Sequence, residues 1–167
     1  HCCLPVGPLS PSLHSMSGTE SNLPVTIAGT GSYLPEKVVT NKDLESLVDT
    51  TDEWITTRTG IKARHMAAEG EHTSHMATKA AERALEQAGI APEDLDLIIV
   101  ATISGDYQMP ATACLVQKEL GAANAGAFDV QAACSGFVTA LGVGEAFISC
   151  GRATNVLIIG AEALSRF

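Results

Sequence analysis

From Val25 onward, short apolar runs alternate with longer segments at helical spacing, and this alternation limits the folds open to the chain. Residues 25–29 read as a strand that leads into the turn-rich Gly29-Thr30-Gly31-Ser32-Tyr33-Leu34-Pro35. A helix is expected over 40–47, with Thr40 as cap and Asp43 in the first turn. A second runs over 52–58 and stops at Gly60, and a third, capped by Thr73 or Ser74, ends at Gly89. Ala77, Ala80, Ala81, Ala84, Leu85 and Ala88 give the third one small-residue face. Leu97-Ile98-Ile99-Val100-Ala101 is apolar at every position, as in a strand covered on both faces. A helix over 111–120, a strand over 127–130, a helix over 135–149 and a strand over 155–159 complete the series. Alternating strands and helices predict an α/β fold with a mostly parallel sheet and right-handed crossovers.

The helix over 135–149 is the odd member. Phe137, Val138, Ala140, Leu141, Val143, Ala146, Phe147 and Ile148 surround it with apolar side chains. Gly142 and Gly144 lie in its interior, each costing roughly 0.5–1 kcal/mol relative to alanine. A helix apolar all round is buried all round. One sheet covers only one side, so a second layer is expected beyond what the chain supplies.

Immediately before that helix stands Cys134, in Ala127-Phe128-Asp129-Val130-Gln131-Ala132-Ala133-Cys134-Ser135-Gly136-Phe137. A thiol at a helix N-terminus meets unpaired N–H groups and the positive end of the helix dipole. Both favour thiolate, the nucleophilic form, and the same N–H groups suit an oxyanion. The plain alternative is a small buried cysteine packing the strand–helix junction. Trp54 and Arg58, four apart on a short helix, share a face. They are either a packed Trp shielding an Arg stem or an aromatic and a cation offered to a nucleotide.

Other residues read more simply. Gly29-Thr30-Gly31 lacks the third glycine and the following helix of a nucleotide loop, so it is a turn. His65, His72 and His75 match no metal spacing and are expected to face solvent from loops or helices. Cys114 and Cys150 are expected to pack in or near the core. Asp49, Asp52 and Glu53 serve a helix dipole. The 167 residues suffice for one core, and their net charge of −9 argues against nucleic acid. No apolar stretch is long enough to span a membrane. Five cysteines without regular spacing indicate neither a disulfide framework nor a zinc site, which fits a reducing cytoplasm. Residues 1–23, with Pro5, Pro8 and Pro11 and no period, are expected to form a disordered leader of non-native origin, with Met16 suited as a start.

Three windows together carry a family resemblance: the Gly29–Glu36 turn, Asp49-Thr50-Thr51-Asp52-Glu53-Trp54-Ile55-Thr56-Thr57-Arg58-Thr59-Gly60-Ile61, and the Cys134 window. In this order they resemble the β-ketoacyl-acyl carrier protein synthase III family, over residues 25–167. The resemblance implies a thiolase-like fold, of which 24–167 would be the N-terminal α/β unit, with the second unit absent. It implies a condensing acyltransferase that starts fatty-acid synthesis from acyl-CoA, acetyl-CoA above all, and malonyl-acyl carrier protein. Cys134 matches the acyl-accepting nucleophile, and Thr50, Trp54 and Arg58 match positions lining the coenzyme A pocket. Met109 falls where the family often has an aromatic that crosses a homodimer interface to close the acyl pocket. No metal or redox cofactor is implied, only a coenzyme A thioester as substrate. The family's catalytic His and Asn lie in its second half, and no histidine here stands in a matching motif. The alternatives are a sister condensing enzyme, of secondary-metabolite or hydroxymethylglutaryl-CoA type, and a non-catalytic fragment that only dimerises.

Overall fold

The structure is a computed structural model that describes residues 2–8 and 24–166. Its strands are β1 (Cys2–Pro8), β2 (Val25–Ile27), β3 (Lys37–Thr40), β4 (Ala63–Met66), β5 (Leu97–Ala101), β6 (Gly126–Val130) and β7 (Val156–Gly160). Its helices are α1 (Asn41–Glu45), α2 (Asp52–Thr59), α3 (Thr73–Ala88), α4 (Thr112–Leu120) and α5 (Gly136–Ser149). The main sheet has the order β2-β1-β7-β5-β6, with β5 parallel to both β6 and β7. β1 runs antiparallel to β7 and to β2, so it alone opposes the common direction.

Residues 1–23 therefore depart from the expected leader over Cys2–Pro8. The backbone there pairs Cys2 with Gly160, Leu4 with Ile158 and Val6 with both Val156 and Ile27. Periodicity is silent on such a segment, because strand pairing satisfies the backbone whatever side chains it carries. Residues 9–23 lie outside the described residues.

Three layers form around the sheet. Ile98, Val100, Leu157 and Ile159 face the alanine stripe of α3 and Ala113 and Val116 of α4. Leu97, Ile99, Ala101, Val156 and Ile158 face α5. β5 is buried along its whole length, as its unbroken apolar run requires.

The alanine stripe has a specific use. A Cβ on Gly29 would stand 2.5 Å from the Ala84 carbonyl oxygen, and one on Gly31 would stand 2.5 Å from the Ala84 nitrogen. Two glycines opposite small residues thus let the 29–35 segment lie against α3. Arg83 donates to the Ser32 carbonyl, and Tyr33 sits beneath both Lys79 and Arg83. The Tyr33 hydroxyl donates to Glu71 at 2.6 Å. The turn is a strap rather than a nucleotide loop.

Helix ends mostly follow their local signals. Thr40 and Asp43 form a reciprocal capping box on α1, and Gly60, Gly89 and Gly121 close α2, α3 and α4 in the left-handed region. The cap of α3 differs from expectation. His72 occupies the N-cap position without a side-chain bond, and Asp106, 32 residues away, accepts from the Ser74 N–H at 2.9 Å. The antiparallel pair β3–β4, whose strands flank α1 and α2, is also new relative to the sequence reading; it puts His65 on a strand, exposed as expected, with Nδ1 2.5 Å from the Pro35 carbonyl.

Candidate active site

The parallel strands β5, β6 and β7 end on one side of the sheet, where α/β folds commonly bind ligands. β6 leads through Gln131 and Ala132 into a single 3-10 turn, Ala133–Ser135, that joins α5. Ala133 has φ of 45°, a left-handed conformation that costs an L-residue of order 1–3 kcal/mol. That sharp elbow turns the next residue, Cys134, outward, and its side chain is exposed. Burial at the junction falls instead to Gly136, where a Cβ would stand 3.3 Å from Ala101. Ser135 is the N-cap of α5, yet its hydroxyl turns back to the Ala132 carbonyl at 2.9 Å and caps nothing. Cys134 is therefore an accessible thiol beside a helix N-terminus that Ser135 leaves uncapped, the arrangement a nucleophile needs. Cys114 and Cys150 differ. Cys114 is half-buried with Sγ 3.8 Å from the Ala127 carbonyl. Cys150, expected near the core, is exposed with Sγ 3.5 Å from the Phe147 carbonyl, because the helix ends there and turns it to the surface.

A second feature is built on α2. Thr51 caps this helix by accepting from the Trp54 N–H at 3.1 Å. The Arg58 guanidinium lies 4.8 Å from the centre of the Trp54 ring, so the two residues form one stacked unit. Trp54 is 54% exposed and is not a core residue. With Thr50, Leu44, Val48, Asp49 and Ile55 it lines a cavity of about 500 Å³. Asp52, expected only to serve the helix dipole, also accepts from the Asn41 amide at 2.7 Å. Thr50 and Trp54 are thus brought together, whereas Cys134 and Met109 do not line this cavity.

Met109 is 86% exposed on the loop between β5 and α4. That loop is held at both ends. Glu162, just past β7, accepts from the Ile103 N–H at 3.0 Å and from the Ser104 hydroxyl. Asp129 of β6 accepts from the N–H groups of Thr112 and Ala113 at 2.7 and 2.8 Å, fastening the start of α4. Sequence reasoning did not single out Ala133, Asn41, Asp129 or Glu162. Their partners lie far along the chain or, for Ala133, in a backbone angle, so no local pattern marks them.

Among the described residues no helix is long and apolar enough to cross a membrane, and no group of three His, Cys, Asp or Glu could hold a metal.

Comparison with known proteins agrees with this geometry. Residues 128–167 match the family described as 3-oxoacyl-[acyl-carrier-protein (ACP)] synthase III. The chain is 59% identical over 140 residues to the β-ketoacyl-[acyl-carrier-protein] synthase III of Caldanaerobacter subterraneus subsp. tengcongensis, covering 84% of this chain and 42% of that protein. It is 61% identical over 140 residues to the synthase III of Xylella fastidiosa, covering 84% and 43%. The crystal structure of 3-oxoacyl-[acyl-carrier-protein] synthase III from Aquifex aeolicus superposes with a TM-score of 0.81 at 57% identity, covering 83% of this chain and 45% of the other. The chain thus spans under half the length of the curated relatives it matches. In sequence and in thiolase-like fold, the matched residues resemble the corresponding part of β-ketoacyl-[acyl-carrier-protein] synthase III proteins.

Proposed function

We propose that this chain is the nucleophile-bearing, N-terminal part of an acyltransferase that condenses a short acyl-CoA with malonyl-acyl carrier protein to begin fatty-acid synthesis. The observation that carries the reading is Cys134, exposed on a strained turn at the N-terminus of α5. The Cys134 thiolate attacks the thioester carbonyl carbon of acetyl-CoA. Backbone N–H groups at the start of α5 bind the oxyanion, the bond to coenzyme A sulfur breaks, and the leaving thiolate takes up a proton. Malonyl-acyl carrier protein then loses CO₂, and its carbanion attacks the acetyl-Cys134 carbonyl. The ketoacyl chain leaves on the carrier and the Cys134 thiolate is restored. By the family resemblance, a His and an Asn outside the residues matched here assist decarboxylation.

Thr50, Trp54 and Arg58 form the coenzyme A end of the site, with the Trp54 ring as the adenine platform. Met109 shapes the acyl pocket across a homodimer interface, in a cytoplasmic enzyme that uses neither metal nor redox cofactor. The test is covalent labelling with radiolabelled acetyl-CoA in the complete enzyme. Cys134→Ala is expected to abolish label retention, and Cys114→Ala and Cys150→Ala to leave it largely intact. Label retained by Cys134→Ala at the wild-type level would overturn the assignment.

A further inference from the structure

Against α2 lies a buried polar side chain in a place usually left to carbon. Asn41, the first residue of α1, is only 1% exposed. Its Nδ2 group donates to the Asp52 carboxylate at 2.7 Å, to the Ile61 carbonyl at 2.8 Å and to the Thr56 hydroxyl at 3.2 Å. Its Oδ1 accepts from Arg64 Nη2 at 2.7 Å, and its backbone N–H donates to the Lys62 carbonyl at 3.2 Å. One amide therefore ties together α1, the start and middle of α2, the segment that follows it and the strand β4. Asp52 and Thr56 lie four apart on α2 and are bonded to each other at 3.2 Å. They are the polar side of the helix whose Trp54 and Arg58 form the stack.

A buried amide with both ends satisfied fixes orientation as well as position. Its donor and acceptor ends cannot be exchanged without leaving a buried polar group unpaired, at substantial cost. Besides Asn41, α2 has few anchors: the Asp52 N–H donates to the Glu45 carboxylate at 2.8 Å. It is eight residues long and Ile55 is its one buried residue. Without the Asn41 hub, Ile55 and the Glu45 bond would be left to resist a roll of α2 that carries Trp54 away from the cavity it lines.

We infer that Asn41 is a positioning residue that sets the roll of α2, and through it the presentation of the Trp54–Arg58 stack to the adenine nucleotide end of a coenzyme A thioester. This rests on the coenzyme A reading of Trp54 proposed above. Asn41 touches no substrate in this role.

The chain has a single tryptophan, so its intrinsic fluorescence reports Trp54 alone. In the full chain, coenzyme A and pantetheine, which lacks the adenine nucleotide, are titrated against that signal and by calorimetry. Asn41→Ala is expected to weaken coenzyme A binding by about tenfold, leave pantetheine binding within about twofold, and shift the ligand-free emission of Trp54. Thr56→Val, a milder cut in the same network, should move both readouts in the same direction by less, and serves if Asn41→Ala does not fold. Asn41→Asp sets a second carboxylate against Asp52 and should weaken coenzyme A binding at least as much. The double variant N41D/D52N restores a donor–acceptor pair between the two positions and should recover part of the loss. Wild-type coenzyme A affinity and emission in folded Asn41→Ala and Thr56→Val would overturn the inference. If Trp54→Ala still weakened binding in that case, the adenine platform would stand without it. If wild type and Trp54→Ala bound coenzyme A alike, the platform reading would fall, and the inference with it.

Discussion

At the scale of single residues, the site is governed by where backbone conformation and polar partners point a side chain. Ala133 spends conformational energy to hold Cys134 outward, and Trp54 sits half in solvent under a guanidinium instead of in the core. Such an aromatic is available to a flat ligand at little desolvation cost. If it stacks on adenine, Trp54→Ala should weaken acyl-CoA binding by about 1–3 kcal/mol, the range for a base on an aromatic ring. Transfer from a short pantetheine thioester should suffer much less. Equal loss with both donors in a direct binding assay would make Trp54 a packing residue.

Elements are held by two kinds of seam. Where the 29–35 strap meets α3, the limit is steric. Gly31→Ala would drive its new methyl into the α3 backbone at Ala80 and Ala84, which cannot move aside like a side chain. The expected cost is about 1–3 kcal/mol or more, read from urea denaturation. Gly142→Ala is the control, because a Cβ there has open space. That change should be neutral or stabilise by up to about 1 kcal/mol through helix propensity. The same strap has a polar end at Tyr33 and Glu71. Partial burial pushes the Glu71 carboxyl up, but the Tyr33 hydroxyl, the Ala68 N–H, His75 and Lys79 together hold it below the usual carboxylate range. The Glu71 hydrogen bond, with burial and the charges of Glu71 and Glu36, raises the Tyr33 phenol. A lowered carboxyl contributes stability above its unfolded pKa and loses it as pH falls through the folded one. Acid denaturation should therefore weaken this seam, and Glu71→Gln should flatten the acid limb of a melting-temperature profile. An unchanged acid limb would mean that Glu71 adds nothing to stability.

The whole molecule has one covered and one bare side. α5 buries Gly136, Ala140, Gly144 and Ile148 against the sheet, while Val138 is 70% exposed and Phe147 is also exposed. An apolar helix face left in water favours association. The chain on its own is therefore expected to be oligomeric or poorly soluble by light scattering, and to form no ketoacyl product from acetyl-CoA and malonyl-acyl carrier protein. Removing residues 1–23 should worsen this, because β1 covers the hydrogen-bonding edge of β7 and its loss would bare that edge. A soluble monomer with normal condensing turnover would contradict both expectations.

What the sequence determined by itself was whatever local chemistry decides. The alternation of strand and helix, the double-faced burial of β5, the Thr40 cap, the glycine stops and the shared face of Trp54 and Arg58 all follow from spacing a few residues long. The place of Cys134 between a strand and a helix start was legible for the same reason, since the three are adjacent in the chain. Tertiary structure alone decided the rest. Asp106 caps α3 and Asp129 caps α4 from other segments, and Asn41 joins residues up to 23 apart. The pairing of Cys2–Val6 with β7 spans at least 150 residues of sequence and leaves no periodic mark. Contacts of that kind pair groups distant in sequence, and a one-dimensional pattern records only a residue's near neighbours.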